Sequence, residues 1–267
     1  MGISSLKNPR VKRVVKLRDR RDRDREGRFL IEGYRELLRA LENGFPLEEV
    51  YFAPDYFHGG NERALLERIA ANGTELVETS ADVLRKMAYR DRPEGLIGVA
   101  PQRRLELQNI ALPDDRPALV VVAEAIEKPG NLGTMLRSAD ATGVDALILA
   151  DACTDLFNPN VVRASTGMLF SVPVAEATTP DTLAWLREHR ITVLAATPHT
   201  DTVYTDADLT VPLALAVGTE QYGLSETWLK EADLNVRIPM LGQADSLNVA
   251  TATTLLLYEA VRQRKTP

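Results

Sequence analysis

The sequence predicts an α/β protein whose larger, C-terminal part is a doubly wound and mostly parallel sheet. Beyond residue 117, short apolar runs of strand length, such as residues 118–125 and 146–150, alternate with segments of helical periodicity. Runs of this kind are typical of strands that helices cover on both faces. Before residue 106, shorter strands and helices alternate in the same way. This second pattern indicates a smaller N-terminal α/β domain.

Composition restricts the class of protein. With 267 residues the chain is long for one domain, and 45 % hydrophobic residues suffice for an ordinary core. No apolar run approaches the roughly 20 residues of a membrane span, and the N-terminus is basic and polar instead of carrying a signal-type apolar region. The single cysteine, Cys153, excludes an intramolecular disulfide framework and fits a reducing compartment. We therefore expect a soluble, cytoplasmic protein without a membrane segment.

Several kinds of site find little support in the sequence. The three histidines, His58, His189 and His199, are scattered and form no cluster with the spacing of metal ligands, so we expect no metal. The turn with Gly130 and Gly133 does not have the glycine spacing of a dinucleotide-binding turn. The Gly-Lys-Ser/Thr signature of nucleotide triphosphatases does not occur. A nicotinamide-dependent oxidoreductase is an alternative with weak support.

The net charge of -6 hides an asymmetry between the two ends of the chain. Residues 1–28 hold 11 Lys or Arg and 4 Asp or Glu, a net charge of +7, so the remaining 239 residues carry -13. A basic segment of this kind is typical of contacts with a phosphate backbone, although a solvated helix would carry the same charges. Charge alone favours a nucleic-acid partner and leaves the solvated helix open.

The first hundred residues predict a small binding domain. Residues 8–25 have apolar residues at helical spacing and Pro9 in the first turn, which predicts one basic amphipathic helix. The further predicted strands are 28–31, 50–53, 75–77 and 96–100, and the further predicted helices are 33–43, 62–71 and 81–87, the last capped by Ser80. No catalytic constellation is visible in this part. We predict domains at 1–105 and 118–267 with a linker at 106–117.

The sequence pattern of the larger domain predicts six strands and five helices. The predicted strands are 118–125, 146–150, 172–174, 191–196, 213–217 and 236–240, and the predicted helices are 127–142, 158–167, 181–189, 224–232 and a closing helix up to residue 264. Ser246 is the predicted N-cap of the closing helix. Hydroxyl and amide groups at this helix start suit an anionic or polar ligand, although a capped core helix would have the same pattern.

Polar residues and glycines cluster where the predicted strands end. Ligands of doubly wound sheets bind beyond the carboxyl ends of the strands. The residues at these ends are Asn131, Gly133, Arg137, Thr197, Gly218, Thr219, Glu220 and the segment 238–248. The sequence therefore predicts a single site that several loops build together.

Three stretches of the larger domain resemble the SpoU (TrmH-like) family of RNA ribose 2'-O-methyltransferases. They are EKPGNLGTMLRSADATGVDALIL at 127–149, LAVGTEQYGLSE at 215–226 and IPMLGQADSLNVATATTLLLYEAVRQR at 238–264, which we call motifs 1, 2 and 3. Their order and approximate spacing also match. FLIEG at 29–33 and RPEGLIGVA at 92–100 resemble the ribosomal-protein-like RNA-binding domain of the subgroup that acts on large-subunit rRNA.

The resemblance implies an S-adenosylmethionine-dependent enzyme that methylates a ribose in RNA, with 23S rRNA as the expected substrate. It also implies a deep trefoil knot, and a homodimer whose active sites are completed across the interface. Knots are rare exceptions to general topology rules, so only the resemblance suggests one here. A tRNA ribose methyltransferase and a non-catalytic rRNA-binding protein are the alternatives.

Residue by residue, the resemblance assigns two sets of positions. The catalytic set is Asn131, Arg137, Glu220, Ser246 and Asn248, and the cofactor-binding set is Thr197, Gly218, Ile238, Met240 and Leu247. Because an arginine normally stays protonated, we predict that Arg137 acts as a cation that fixes the substrate phosphate. Glu220 would orient Arg137 through a charge-assisted bond. Asn131 would place the ribose or Arg137, and Ser246 and Asn248 would shape the motif 3 loop around the methionine end.

Overall fold

The computed structural model describes residues 2–265, which pack into two units. The first unit is the chain up to Arg103 together with Asp155–Ser171, and the second is Arg104–Thr154 together with the chain from Val172 onward. The division into domains at 1–105 and 118–267 stays a prediction, but packing follows a different boundary because residues 155–171 pack with the N-terminal residues. No helix of the described part is long and apolar enough to cross a membrane.

The first unit contains a four-stranded sheet in the order β1-β4-β2-β3, in which β4 is antiparallel to both of its neighbours and β3 is parallel to β2. Its elements up to Arg103 are α1 (Pro9–Lys16), α2 (Arg20–Glu26), β1 (Arg28–Glu32), α3 (Tyr34–Glu42), β2 (Glu49–Phe52), α4 (Asn61–Ala71), β3 (Glu75–Glu78), α5 (Ala81–Met87) and β4 (Leu96–Pro101). The predicted strands are confirmed to within one residue at each end. Ser80 caps α5 as predicted, because its side chain accepts from the backbone N–H of Val83.

The prediction of one helix over residues 8–25 is wrong. The chain forms α1 and α2 instead, and the side chain of Asp19 caps α2 by accepting from the backbone N–H of Arg21. Val11, Val14 and Leu17 are buried in the core of the unit, as their spacing indicated. The helix is divided because Asp19 is a favourable N-cap, so a new helix begins after it at Arg20.

The second unit contains a six-stranded, fully parallel sheet in the order β10-β8-β9-β5-β6-β7. Its elements are β5 (Leu119–Glu124), α6 (Pro129–Thr142), β6 (Ala146–Ala150), β7 (Val174–Ala177), α8 (Thr179–Glu188), β8 (Thr192–Ala196), β9 (Leu213–Val217), α9 (Glu226–Glu231), β10 (Leu234–Val236) and α10 (Val249–Lys265). Every residue of β5, β6 and β9 is buried, as expected of strands covered on both faces. The predicted parallel sheet is confirmed.

Two predicted strands lie elsewhere than expected. The strand predicted at 172–174 is β7, which begins at Val174, and the strand predicted at 236–240 is β10, which ends at Val236. After Val236 the chain leaves β8, since Arg237 pairs with Val203 in an isolated parallel bridge. Farther along, Pro239 has no N–H to donate to a sheet ladder. Residues 238–248 form a loop.

Residues 155–171 carry α7 (Pro159–Ser165) and pack within the first unit. The ring of Phe157 lies 4.7 Å from the ring of Phe29 in β1, measured between centroids. Asp155 accepts from the guanidinium of Arg23 at 2.5 Å, and both side chains are less than 5 % exposed. A segment that follows the second strand of the parallel sheet thus completes the core of the N-terminal unit.

Candidate active site

The loops of the three motifs leave the parallel sheet at the same edge. Strands β5, β9, β8 and β10 are consecutive neighbours and all run in parallel, so their carboxyl ends lie side by side. Motif 1 follows β5, motif 2 begins within β9 and continues beyond its end, and motif 3 follows β10. The predicted convergence of strand ends is confirmed.

Side chains from the three motifs meet at the carboxylate of Glu220. The Nζ of Lys128 donates to Oε2, and the Nδ2 of Asn131 donates to Oε1. The Nδ2 of Asn248 lies 3.1 Å from Oε1 of Glu220 and 3.1 Å from Oδ1 of Asn131. We call Lys128, Asn131, Glu220 and Asn248 the polar cluster. Three of its members belong to the predicted catalytic set.

The polar cluster lowers the pKa of its carboxylate. The hydrogen bond from Lys128 lowers the pKa of Glu220 below its ordinary value, burial opposes this effect, and the hydrogen bond from Asn131 lowers the pKa further. A carboxylate with a lowered pKa accepts hydrogen bonds at neutral pH and does not donate. The two amide groups can therefore hold one orientation, with their nitrogens toward Glu220.

Asn248, and not Ser246, is the N-cap of the closing helix. The helix α10 begins at Val249, and the side-chain oxygen of Asn248 accepts from the N–H groups of Ala250 at 3.0 Å and Thr251 at 3.4 Å. Ser246 is exposed, and its side chain makes no hydrogen bond within residues 2–265. The predicted cap is wrong by two residues because asparagine caps as well as serine. One side chain thus starts α10 and bonds Glu220.

A tight hairpin carries Glu220. The N–H of Thr219 donates to the carbonyl of Gly223 at 3.0 Å, and the N–H of Gly223 donates to the carbonyl of Thr219 at 3.0 Å. A Cβ on Gly218 would lie 2.1 Å from the carbonyl oxygen of Gly223, a distance that no side chain tolerates. Gly223 adopts φ +69°, a conformation that favours glycine. Both glycines are therefore required for the hairpin that presents Glu220.

The predicted cofactor-binding residues lie at the same edge of the sheet. Gly218 is buried, and the other members are half-buried: Thr197, Ile238, Met240 and Leu247. In the described part of the chain, the backbone of residues 238–247 makes no backbone hydrogen bond. These free donors and acceptors suit a polar cofactor held mostly through the main chain. The assignment to individual residues stays a prediction.

Arg137 does not join the polar cluster within one chain. It lies six residues after Asn131, which places it about 120° away around α6. Its side chain is exposed and makes no hydrogen bond or ion pair with the residues that the structure describes. The predicted bond between Glu220 and Arg137 is therefore wrong within the single chain, because Lys128, Asn131 and Asn248 take the carboxylate.

Lys128 is the cluster member that the sequence prediction missed. It is the residue before Pro129, the first residue of α6, and so lies between a strand end and a helix start. Two signals were present in the sequence: its position at a predicted strand end and its charge next to a proline in the first turn. Neither signal indicated Glu220 as its partner, since the two residues are 92 positions apart.

Comparison with known proteins assigns the chain to a family. The profile of the SpoU rRNA Methylase family matches residues 118–258, more than half of the chain. The chain belongs to the SpoU rRNA Methylase family. The profile of the MRM3-like substrate binding domain matches residues 8–98 of this SpoU chain. The alternative of a nicotinamide-dependent oxidoreductase is therefore wrong.

Individual relatives of this SpoU chain are similar over nearly their whole length. The 23S rRNA (uridine(2479)-2'-O)-methyltransferase of Streptomyces viridochromogenes is 35 % identical, over 93 % of this chain and 87 % of the relative. A crystal structure of an AdoMet-bound rRNA methyltransferase from Sinorhizobium meliloti is 32 % identical, with a TM-score of 0.88 over 98 % and 97 % of the two chains. A crystal structure of an RNA 2'-O ribose methyltransferase is 43 % identical, with a TM-score of 0.83 over 99 % of both chains.

The predicted fold class is confirmed: this SpoU chain has a mostly parallel sheet with helices and a smaller N-terminal α/β part. The deep trefoil knot expected for this family stays a prediction. The closing helix α10 packs against α6, and the hydroxyls of Ser138 and Thr254 lie 2.6 Å apart.

Proposed function

We propose that this protein transfers the methyl group of S-adenosylmethionine to the 2'-hydroxyl of a ribose in 23S rRNA. The observation that carries the proposal is the meeting of motifs 1, 2 and 3 at Glu220, in a chain that the family profile matches over residues 118–258. The names of relatives support the substrate and the cofactor, because they include 23S rRNA 2'-O-methyltransferases and AdoMet-bound structures. The N-terminal match to a substrate binding domain supports RNA as the partner.

The residues that would hold the cofactor are those at the ends of β8, β9 and β10. Gly218 follows the last residue of β9, and the loop with Ile238, Met240 and Leu247 offers free backbone groups. Thr197 stands at the end of β8. When bound, the cofactor supplies an electrophilic sulfonium methyl group. The role of these residues is to fix that group at near-attack distance from the ribose oxygen.

The polar cluster would position the ribose. Asn131 and Asn248 present amide groups whose orientation Glu220 sets, and Ser246 stands in the exposed loop before α10. Arg137 would bind the substrate phosphate as a cation and lower the pKa of the ribose hydroxyl. This division of labour requires no arginine to lose its proton.

A homodimer would explain why Arg137 lies apart from the polar cluster of its own chain. Leu255 and Tyr258 on α10 are 40 % and 51 % exposed, on a helix that packs beside the α6 of Arg137. We propose that these faces of α6 and α10 meet a second copy, so that Arg137 of one protomer serves the cofactor site of its partner. A substrate in ribosomal RNA also favours the cytoplasm as the location.

The test is methyl transfer from radiolabelled S-adenosylmethionine to purified 23S rRNA and tRNA, followed by mapping of 2'-O-methylated nucleotides. Label in 23S rRNA at a ribose is the expected result. Label in tRNA alone would replace the substrate with tRNA. Binding of rRNA without any label would identify a non-catalytic rRNA-binding protein.

A further inference from the structure

Lys128 forms an ion pair that folding alone does not account for. Its side chain is 68 % exposed, and the side chain of its partner Glu220 is 27 % exposed. Ion pairs with a largely exposed member contribute little to stability. The same unit contains an ordinary surface pair for comparison, between Lys230 and Glu226 on α9, at 3.0 Å with both side chains more than 70 % exposed. The difference is what surrounds the carboxylate of Glu220.

The two oxygens of Glu220 take different donors. Oε2 accepts from Lys128, while Oε1 accepts from the amides of Asn131 and Asn248. Asn248 also donates to Asn131 and caps α10 through its oxygen. A carboxylate that turned away from Lys128 would therefore release both amides. Lys128 therefore holds the carboxylate of Glu220 in the orientation that allows its hydrogen bonds with Asn131 and Asn248.

The charge of Lys128 gives a second reason for its position beside Glu220. The hydrogen bond from Lys128 lowers the pKa of Glu220, and Lys128 is the cation among the described donors to its carboxylate. An RNA phosphate that approached an uncompensated carboxylate would be repelled. The amide groups of Asn131 and Asn248 carry no net charge and do not cancel it.

We propose that Lys128 is a positioning residue for methyl transfer, which holds the carboxylate of Glu220 against the amides of Asn131 and Asn248 and cancels its charge where RNA binds. This inference rests on the proposed function.

A double-mutant cycle with Lys128→Met and Glu220→Gln tests the proposal in the full-length protein. Lys128→Met should lower kcat/KM for RNA about tenfold, mostly through KM, the order expected when one charge near a phosphate loses its partner in a largely aqueous setting. The dissociation constant of S-adenosylmethionine should not change. Lys128→Arg should restore activity, and the control Lys230→Met should equal the wild type. In the Glu220→Gln background, Lys128→Met should cost less than about twofold.

Two results would overturn the inference. Wild-type kinetics in Lys128→Met would show an ordinary surface pair, and an equal loss in both backgrounds would show that Lys128 acts without Glu220. The wild-type protein tests the proposed function separately, since absence of methyl transfer from it would remove that function. The same cycle measured on the dissociation constant of RNA would then still distinguish coupled from independent action.

Discussion

The basic N-terminal segment up to Arg28, which we call the leader, and the polar cluster of the second unit use charge in opposite ways. In the leader, Arg10 pairs with Glu75 at 2.6 Å and Arg13 pairs with Glu49 at 2.5 Å. Basic side chains that suggested a nucleic-acid ligand thus form ion pairs within their own unit. In the polar cluster, one carboxylate gathers three donors at the edge of a sheet, beside a loop with unpaired backbone groups. A count of charges therefore does not distinguish structural from functional residues, whereas the position of their partners does.

Two arginines show the contrast most sharply. Arg23 lies in the most basic segment of the chain, yet it is 1 % exposed and binds Asp155 together with the carbonyls of Leu17 and Arg18. Arg137 has no charged neighbour in sequence closer than Asp140, and it is exposed without a partner in the described chain. We therefore assign Arg23 to stability, whereas a chemical role of Arg137 stays a proposal.

The largest expected effect is that of Arg23→Ala on stability. It leaves the buried carboxylate of Asp155 without its partner, a change that typically costs about 3–5 kcal/mol. The free energy of unfolding in urea measures the loss. Arg25→Ala, which removes a 58 % exposed arginine two residues later, is the matched control and should stay within about 0.5 kcal/mol. Equal stability of both variants would contradict the structural role of Arg23.

Arg137→Ala should reverse the pattern. We expect methyl transfer to fall at least about a hundredfold, the order seen when a transition-state contact is lost. Stability and the affinity for S-adenosylmethionine should change little, because the side chain is exposed and unpaired within the chain. Arg187→Ala, on the outer part of α8, is the control for loss of a surface arginine. Unchanged methyl transfer would remove Arg137 from the mechanism.

Substitutions of Asn248 separate its two roles. Asn248→Ala removes both the cap of α10 and the bond to Glu220, so it should lower the free energy of unfolding by about 1 kcal/mol and also reduce activity. Asn248→Ser keeps a capping oxygen but loses the amide donor, so stability should stay near the wild type while activity falls. Ser246→Ala should not affect stability. A stability loss in Ser246→Ala like that of Asn248→Ala would restore the predicted cap.

The smallest effect concerns the leader. Lys7, Lys12, Lys16 and Arg21 are exposed and make no ion pair in residues 2–265, so they are the leader charges available to RNA. Lys12→Ala with Lys16→Ala should weaken RNA binding a few-fold and reduce the salt slope of log K by up to about 0.7–0.9 for each lost phosphate contact. An identical salt slope would identify α1 as a solvated helix.

The charge of the sequence alone would suggest deleting residues 1–25 to test whether the leader binds RNA. Such a deletion would not measure the leader's contribution to RNA binding. It would remove Val11, Val14 and Leu17 from the core of the first unit. It would also remove Arg23 from Asp155. Loss of binding after such a deletion would report unfolding, so single substitutions at exposed positions are the sharper experiment.

Local sequence was sufficient wherever neighbouring residues determine structure. The apolar runs of β5, β6 and β9 and the cap at Ser80 were predicted because strand burial and capping act over a few residues. Errors arose where two local signals competed. Asp19 broke a run that periodicity made continuous, and Asn248 and Ser246 were equally good candidates for one cap.

The sequence by itself determined the order of strands and helices, and hence which loops reach the carboxyl edge of the parallel sheet. Only the tertiary structure decided the partners of the charged and amide groups on those loops and in the leader. Arg23 meets Asp155 across 132 positions, and Asn131 meets Asn248 across 117. Helical and strand periods carry no information at such separations, because an ion pair or a hydrogen bond depends on distance in space after the backbone has folded.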